Sequence, residues 1–160
     1  MIASWKHTLE AHGATFLNDQ VADFGHAEAE RQLATQGVIV ADLSCLNLIQ
    51  FAGEDAQSFL QGQLSNDVRL LDGNNAQYTS YNTPKGRMLA NGLLWQSATN
   101  TYVLQLPASL REAIQKRLTM FVLRAKVKVS DVSDEWVRLG VGGLSAAAVL
   151  AQVLGDLPST

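Results

Sequence analysis

The stretch Gln77–Trp95, QYTSYNTPKGRMLANGLLW, holds two strand-like runs on either side of a turn signal. Gln77 to Tyr81 and Arg87 to Trp95 are rich in aromatic and apolar residues, and Asn82-Thr83-Pro84-Lys85-Gly86 between them is turn chemistry. The stretch therefore reads as an antiparallel hairpin. Folded so, it brings Tyr78, Tyr81, Lys85, Arg87 and Asn91 within reach of one pocket. Gly86 lets backbone approach a ligand between two cations, and an arginine can grip a carboxylate through two parallel hydrogen bonds. The plainer reading of Lys85-Gly86-Arg87 is two solvated charges at a turn.

Working outward, the order from Leu46 to Val132 is strand, helix, strand, strand, helix, strand, with one extra short strand. Leu46 to Phe51 alternates, with Leu46, Leu48 and Gln50 on one face and Ile49 and Phe51 on the other. Asp55 is placed to cap a helix whose buried stripe is Ala56, Phe59, Leu60 and Leu64. Tyr102 to Leu106 is the short extra strand, broken by Pro107. Ser109 and Glu112 form a capping box before a face of Leu110, Ile114, Leu118 and Phe121. Lys126 to Val132 alternates again. This is the split βαβ order of a ferredoxin-like α+β domain, with the opening hairpin as its paired central strands.

On the N-terminal side, Ile2, Trp5 and Leu9 mark a helix over residues 2–10, and residues 14–25 read as a loop or a short strand. His26 to Gln36 is helix-forming, Gly37 is placed for a left-handed cap, and Val38-Ile39-Val40 is strand-like. On the C-terminal side, a strand over 136–142 and a helix over 145–154 exceed the ferredoxin-like unit, with Gly155 and Pro158 as stops. The expected division is an N-terminal helical extension (1–37), a ferredoxin-like domain (38–133) and the truncated start of a second domain (134–160).

Other motifs carry less chemistry. Gly140-Val141-Gly142-Gly143 has Ser145 where a dinucleotide fingerprint needs its third glycine, and reads as a turn from strand to helix. Cys45 lacks a CxxC or histidine-spaced partner, so a structural thiol in a reducing cytoplasm fits it best, with no metal site. His7, His12 and His26 read as surface positions. Glu54, Asp55, Asp67 and Asp72 suit helix starts and turns before acid–base catalysis.

At 160 residues, 47% hydrophobic and 17% charged, the chain can bury a core. A net charge of −3 gives no whole-protein field toward nucleic acid or an anionic membrane, and no apolar run approaches a membrane span. The first residues, MIASWKHTLEAHG, lack the apolar core of a signal peptide. Cytoplasmic localisation, without direct nucleic-acid or membrane partners, is the expectation.

The run Gly53-Glu54-Asp55-Ala56-Gln57-Ser58-Phe59-Leu60-Gln61-Gly62-Gln63-Leu64-Ser65-Asn66-Asp67-Val68, followed by Gln77-Tyr78-Thr79 and Lys85-Gly86-Arg87-Met88, resembles the N-terminal part of the YgfZ-type folate-binding proteins. These are relatives of the glycine cleavage T-protein, an aminomethyltransferase. Leu123-Arg124-Ala125-Lys126-Val127 and Leu139-Gly140-Val141-Gly142-Gly143 follow in the same order. The resemblance implies a three-domain protein with tetrahydrofolate held centrally. Its implied role is accessory: support of iron–sulfur cluster assembly or repair, with iron–sulfur client proteins as partners and tRNA modification downstream.

In the T-protein a carboxylate after the hairpin contacts the reacting folate nitrogen, and the register carries that position onto Asn91. An amide can hydrogen-bond a pterin but is no acid or base near neutral pH. No catalytic residue is therefore assigned, and the expectation is folate binding without enzyme chemistry. The family's later Lys-Gly-Cys-Tyr-x-Gly-Gln run is not in this sequence. Tyr78 or Tyr81 would pack on the pterin, and Lys85 or Arg87 would meet the glutamate carboxylates. A site shared by three domains predicts weak or no binding by this chain alone. The alternatives are a folate-dependent aminomethyltransferase and a small interaction module without cofactor.

Overall fold

The computed structural model describes residues 1–155 and Leu157; Pro158, expected as a helix stop, lies outside the described residues. The chain forms two compact units, residues 46–133 and residues 1–45 together with those from 134 onward. Strand pairing follows this division: the strand at residues 39–42 pairs with the one at 139–142, and neither joins the sheet of residues 46–133.

In the unit of residues 1–45 and 134 onward, α1 (Ala3–Ala11) buries Leu9, and Trp5 Nε1 donates to Asp42 Oδ1 at 2.8 Å. Residues 14–25, expected as loop or short strand, form a hairpin of β1 (Thr15–Leu17) and β2 (Gln20–Asp23). Asn18 and Asp19 turn it at φ 50° and 59°, the left-handed pair that a two-residue hairpin loop requires. Then come α2 (Ala27–Gln36) and β3 (Ile39–Asp42). Gly37 does follow α2, but at φ −119° it is extended and not the left-handed cap expected.

The unit of residues 46–133 runs β4 (Leu46–Ala52), α3 (Ala56–Gln61), a 3-10 turn (Val68–Leu70), β5 (Ala76–Asn82), β6 (Met88–Ala98), β7 (Thr101–Pro107), α4 (Ala108–Val122) and β8 (Lys128–Asp131). The α+β class expected from the sequence is the one observed. The sheet order is β5-β6-β7-β4-β8, so the unit's first strand is inserted between its fourth and its last, as in a split unit. The extra strand makes β5-β6-β7 a meander, and all four neighbour pairs are antiparallel. It also moves the opening hairpin outward: β5 is an edge strand, not half of a central pair.

Alternation along β4 decides the core. Ile49 and Phe51 point to the helix-covered face with Phe59, Leu60, Ile114 and Leu118, while Leu48 packs on the other face with Val103, Val132 and Trp95. The stripe Ala56, Phe59, Leu60 and Leu64 is buried as expected. Two caps differ from expectation. Asp55 sits at the α3 N-cap without a side-chain cap bond, because its Oδ2 accepts the Lys126 N–H at 2.8 Å. The α4 N-cap is Pro107, ahead of the expected box at Ser109 and Glu112.

The sheet face with Leu48 is closed by a buried hydroxyl: the Leu48 N–H donates to Ser133 Oγ at 3.0 Å. Ser133→Ala leaves that N–H without its acceptor, which costs about 1–3 kcal/mol. Urea unfolding checks this, and an unchanged midpoint would mean another acceptor replaces the hydroxyl.

Beyond residue 133 the chain continues through a 3-10 turn (Ser133–Glu135) into β9 (Leu139–Gly142) and α5 (Ala146–Leu154). Gly143, between them, holds φ 117°, the strand-to-helix turn expected of the glycine run. Cys45 is half-buried.

Candidate functional site

The β5–β6 turn is built by its own sequence. Thr83 O accepts the Gly86 N–H at 2.8 Å across Pro84 and Lys85, and Arg87 O accepts the Thr83 N–H at 2.8 Å. Pro84 supplies the fixed φ of the second turn position and Gly86 the left-handed residue, at φ 77°. The Arg87 N–H donates to Thr83 Oγ1 at 3.1 Å. Lys85 and Arg87 are both exposed, carried at the tip.

Strand register then separates the remaining candidates. Tyr78 faces Leu93, Ser80 faces Asn91, and Tyr81 faces Ala90 across the ladder. Tyr78 and Asn91 are thus diagonal neighbours on the sheet face away from α3 and α4, where Leu93 and Trp95 extend the apolar floor. Tyr78 is 78% exposed and Asn91 is exposed. Tyr81 points the other way and is 5% exposed within the helix-covered core. The five candidates do not line one pocket: Tyr78 and Asn91 share the open face, Lys85 and Arg87 the tip, and Tyr81 the core.

Two features were not anticipated from the sequence. Ser65 links α3 to the edge strand: its N–H donates to Ser80 O at 3.0 Å, and its Oγ accepts from the Ser80 N–H and from Ser80 Oγ, both at 3.0 Å. Asn82 Nδ2 donates to Ser80 Oγ at 3.0 Å, and Ser65 Oγ donates to Asn66 Oδ1 at 2.9 Å. This blunts the β5 edge and puts hydroxyls and amides beside Asn91. The signal was Leu64-Ser65-Asn66, polar residues just where the buried stripe of α3 ends.

The other is Arg117 of α4, whose Nε donates to Tyr81 Oη at 3.1 Å while its guanidinium lies 6.0 Å from the Tyr81 ring and 5.9 Å from the Phe121 ring. Arg117 borders an apolar groove of about 490 Å³ lined by Leu89, Leu110, Met120 and Phe121. The groove lies on the helix side of the sheet, so Tyr81 stands behind it rather than beside Asn91.

Asp67, in the turn after α3, accepts from Arg69 Nε and Nη2, both at 2.8 Å, and from the Arg69 N–H at 3.0 Å. The Arg69 guanidinium holds this carboxyl below its ordinary 3.8, against a smaller opposing effect of desolvation. A depressed folded pKa contributes stability above the unfolded value, and it is lost as pH falls through the folded one. Side-chain NMR titration of Asp67 should therefore give a midpoint below 3.8 that moves back up in Arg69→Ala. An unmoved midpoint in the variant would remove Arg69 as the cause.

Among the described residues no three His, Cys, Asp or Glu side chains group as a metal site, and no helix is long and apolar enough to cross a membrane.

The family model for the GCVT N-terminal domain matches residues 5–159, and the chain belongs to that family. It is 31% identical over 129 residues to the aminomethyltransferase of Bacillus subtilis, covering 79% of this chain and 35% of that protein. It is 29% identical over 99 residues to the iron-sulfur cluster assembly factor IBA57 homolog, mitochondrial, of Cryptococcus neoformans, covering 61% and 26%. The crystal structure of glycine cleavage system aminomethyltransferase T from Bartonella henselae superposes with a TM-score of 0.81 at 23% identity, covering 95% of this chain and 43% of that one. The chain thus spans about a third of the length of curated aminomethyltransferases that it matches. The kinship to aminomethyltransferases expected from the sequence holds at family level, whereas the narrower YgfZ-type kinship is not singled out by these relatives.

Proposed function

We propose that this chain is the tetrahydrofolate-facing domain of an aminomethyltransferase-type protein, and that the open sheet face at Tyr78 and Asn91 is its contribution to the folate site. The observation that carries the reading is the register: Tyr78 and Asn91 stand side by side on an exposed, partly apolar face. A flat pterin can stack on the Tyr78 ring while its amide-like edges meet the Asn91 side chain. Lys85 and Arg87 at the tip are placed for the acidic tail rather than for the ring. Tyr81 drops out of the ligand contacts and acts through the core, with Arg117.

Asn91 favours a second reading alongside transfer chemistry. By the family resemblance a carboxylate belongs at this position, and an amide there binds folate without exchanging a proton. That suits an accessory protein of iron–sulfur cluster assembly, the role for which the Cryptococcus relative is named. In either role the remaining walls of the site come from other domains, so affinity in this chain alone is weak, with Kd on the order of 1 mM.

The test is an NMR titration of tetrahydrofolate into the chain and into Tyr78→Ala. Stacking on one aromatic ring contributes about 1–3 kcal/mol for a nucleobase-sized ring, so the variant should bind at least about fivefold more weakly. Equal affinity in both would sink the assignment of Tyr78.

A further inference from the structure

The apolar groove beside Arg117 takes no part in the folate reading, which uses the opposite face of the sheet. Along α4, Leu110, Ile114, Arg117 and Phe121 recur at helical spacing and form one wall, and Leu89 of β6 forms the other. At about 1.5 Å per residue, the wall from Leu110 to Phe121 is roughly 16 Å long, or about three helical turns. Apolar surface continues beyond it. Met120 is 67% exposed and Leu123 86%, and Leu123 holds φ 48°, a left-handed conformation uncommon outside glycine. A contiguous apolar patch of this kind marks an interaction surface, and an unbranched methionine at its mouth adapts to an apolar partner.

The charge around the groove has one sign. Residues 108–128 hold six of the chain's twelve cations and a single acid, Glu112, although the whole chain is at −3. Arg111 is taken by Asp131 at 3.3 Å and Lys126 by Glu54 at 2.7 Å. Lys116 and Arg117, which line the groove, form no ion pair among the described residues, and both are exposed. An apolar channel rimmed by uncompensated cations complements an apolar stripe rimmed by carboxylates.

The walls also define the form of the occupant. Strand addition is closed off here, because β6 is already paired by β5 on one side and β7 on the other. A peptide seated in the groove must therefore bring a backbone that satisfies itself, which a helix does. A second copy of this chain does not supply that helix. Among the described helices α2 alone carries two acids, and both are engaged: Glu28 pairs with Arg31, and Glu30 accepts the Phe24 and His26 N–H groups. Leu33 is the single large apolar residue of α2.

We infer that this groove docks an amphipathic helix of a separate protein, about three turns long, with its apolar stripe over Leu110, Met120 and Phe121 and with glutamates or aspartates beside Lys116 and Arg117. The inference does not depend on the folate reading, since it concerns the helix-covered side of the sheet.

The test is selection of a displayed library of helical peptides against the full chain, with leucine or methionine fixed at helical spacing and glutamate, lysine or glutamine varied at the flanking positions. The expected result is enrichment of glutamate at those flanks. The selected peptide should bind with Kd on the order of 10 μM and shift the amides of Lys116, Met120 and Phe121. Lys116→Glu and Met120→Asp, both at exposed positions, should each weaken it at least about tenfold, while Leu144→Asp, at an exposed apolar position of the other unit, leaves it unchanged. Raising salt from about 50 mM to about 500 mM should weaken it at least about threefold, as charge pairing requires. Four results would overturn the inference: no enriched peptide, lysine or glutamine enriched at the flanks, shifts lying outside the groove, or groove amides that respond to the chain's own concentration through self-association.

Discussion

Gly53→Ala is expected to unfold residues 46–133 under conditions where the parent chain is folded. Gly53 holds φ 145°, and a Cβ there meets the Lys126 carbonyl oxygen at 2.0 Å and its carbon at 2.9 Å. Neither atom belongs to a flexible side chain. Relief requires moving the Lys126 peptide, which is tied to Asp55 by its N–H and paired onward through β8 to β4. The loss should exceed about 4 kcal/mol, in the range reserved for clashes that the surroundings cannot absorb. Gly73→Ala is the control, since φ there is 89° but nothing lies within 4 Å of the added carbon. It should cost only the backbone term of about 1–2 kcal/mol. Urea unfolding of both checks the pair, and equal losses would contradict a steric role for Gly53.

Phe51→Ala should cost about 3–5 kcal/mol. Phe51 is fully buried near the C-terminal end of β4, between Tyr102 of β7 and Val129 of β8, with the Phe59 ring 6.2 Å away. Its neighbours are strands paired on both sides and a helix clamped at Gly53, so the cavity collapses poorly. A measured loss below about 2 kcal/mol would show that α3 moves in to fill the space. The parent and variant should share one denaturant slope if the packing changes without a change in the unfolded ensemble.

Both sites lie in elements whose character was plain in the sequence. Alternation in Leu46 to Phe51 put Leu48 on one face and Ile49 and Phe51 on the other, because a period of two admits no other arrangement once one face is buried. The stripe of α3 was equally legible from its spacing. What escaped was set by distant partners. Asp55 looks like a helix cap, but its carboxylate is taken by the Lys126 backbone, far along the chain. Phe121 completes the apolar periodicity of α4 yet stays 45% exposed, holding one side of Arg117.

The candidate site was legible as a hairpin and not as a pocket. Turn chemistry at Pro84 and Gly86 placed Lys85 and Arg87 at the tip. Tyr78 and Tyr81, an odd number of residues apart, must lie on opposite faces of a regular strand, and this parity overrules their proximity in sequence. The pairing of residues 39–42 with 139–142 joins segments nearly a hundred positions apart, a link that local periodicity does not carry.

The measurement that tests the functional account most directly is the map of tetrahydrofolate-induced amide shifts in the folded chain at about 1 mM ligand, a concentration suited to the weak affinity expected. The open-face reading predicts that shifts concentrate at Tyr78, Ser80, Asn91, Leu93 and Trp95, and leave Ile114 and Leu118 on the helix-covered face unmoved. Shifts confined to the groove beside Arg117 and Phe121, or none at saturating ligand, would contradict it.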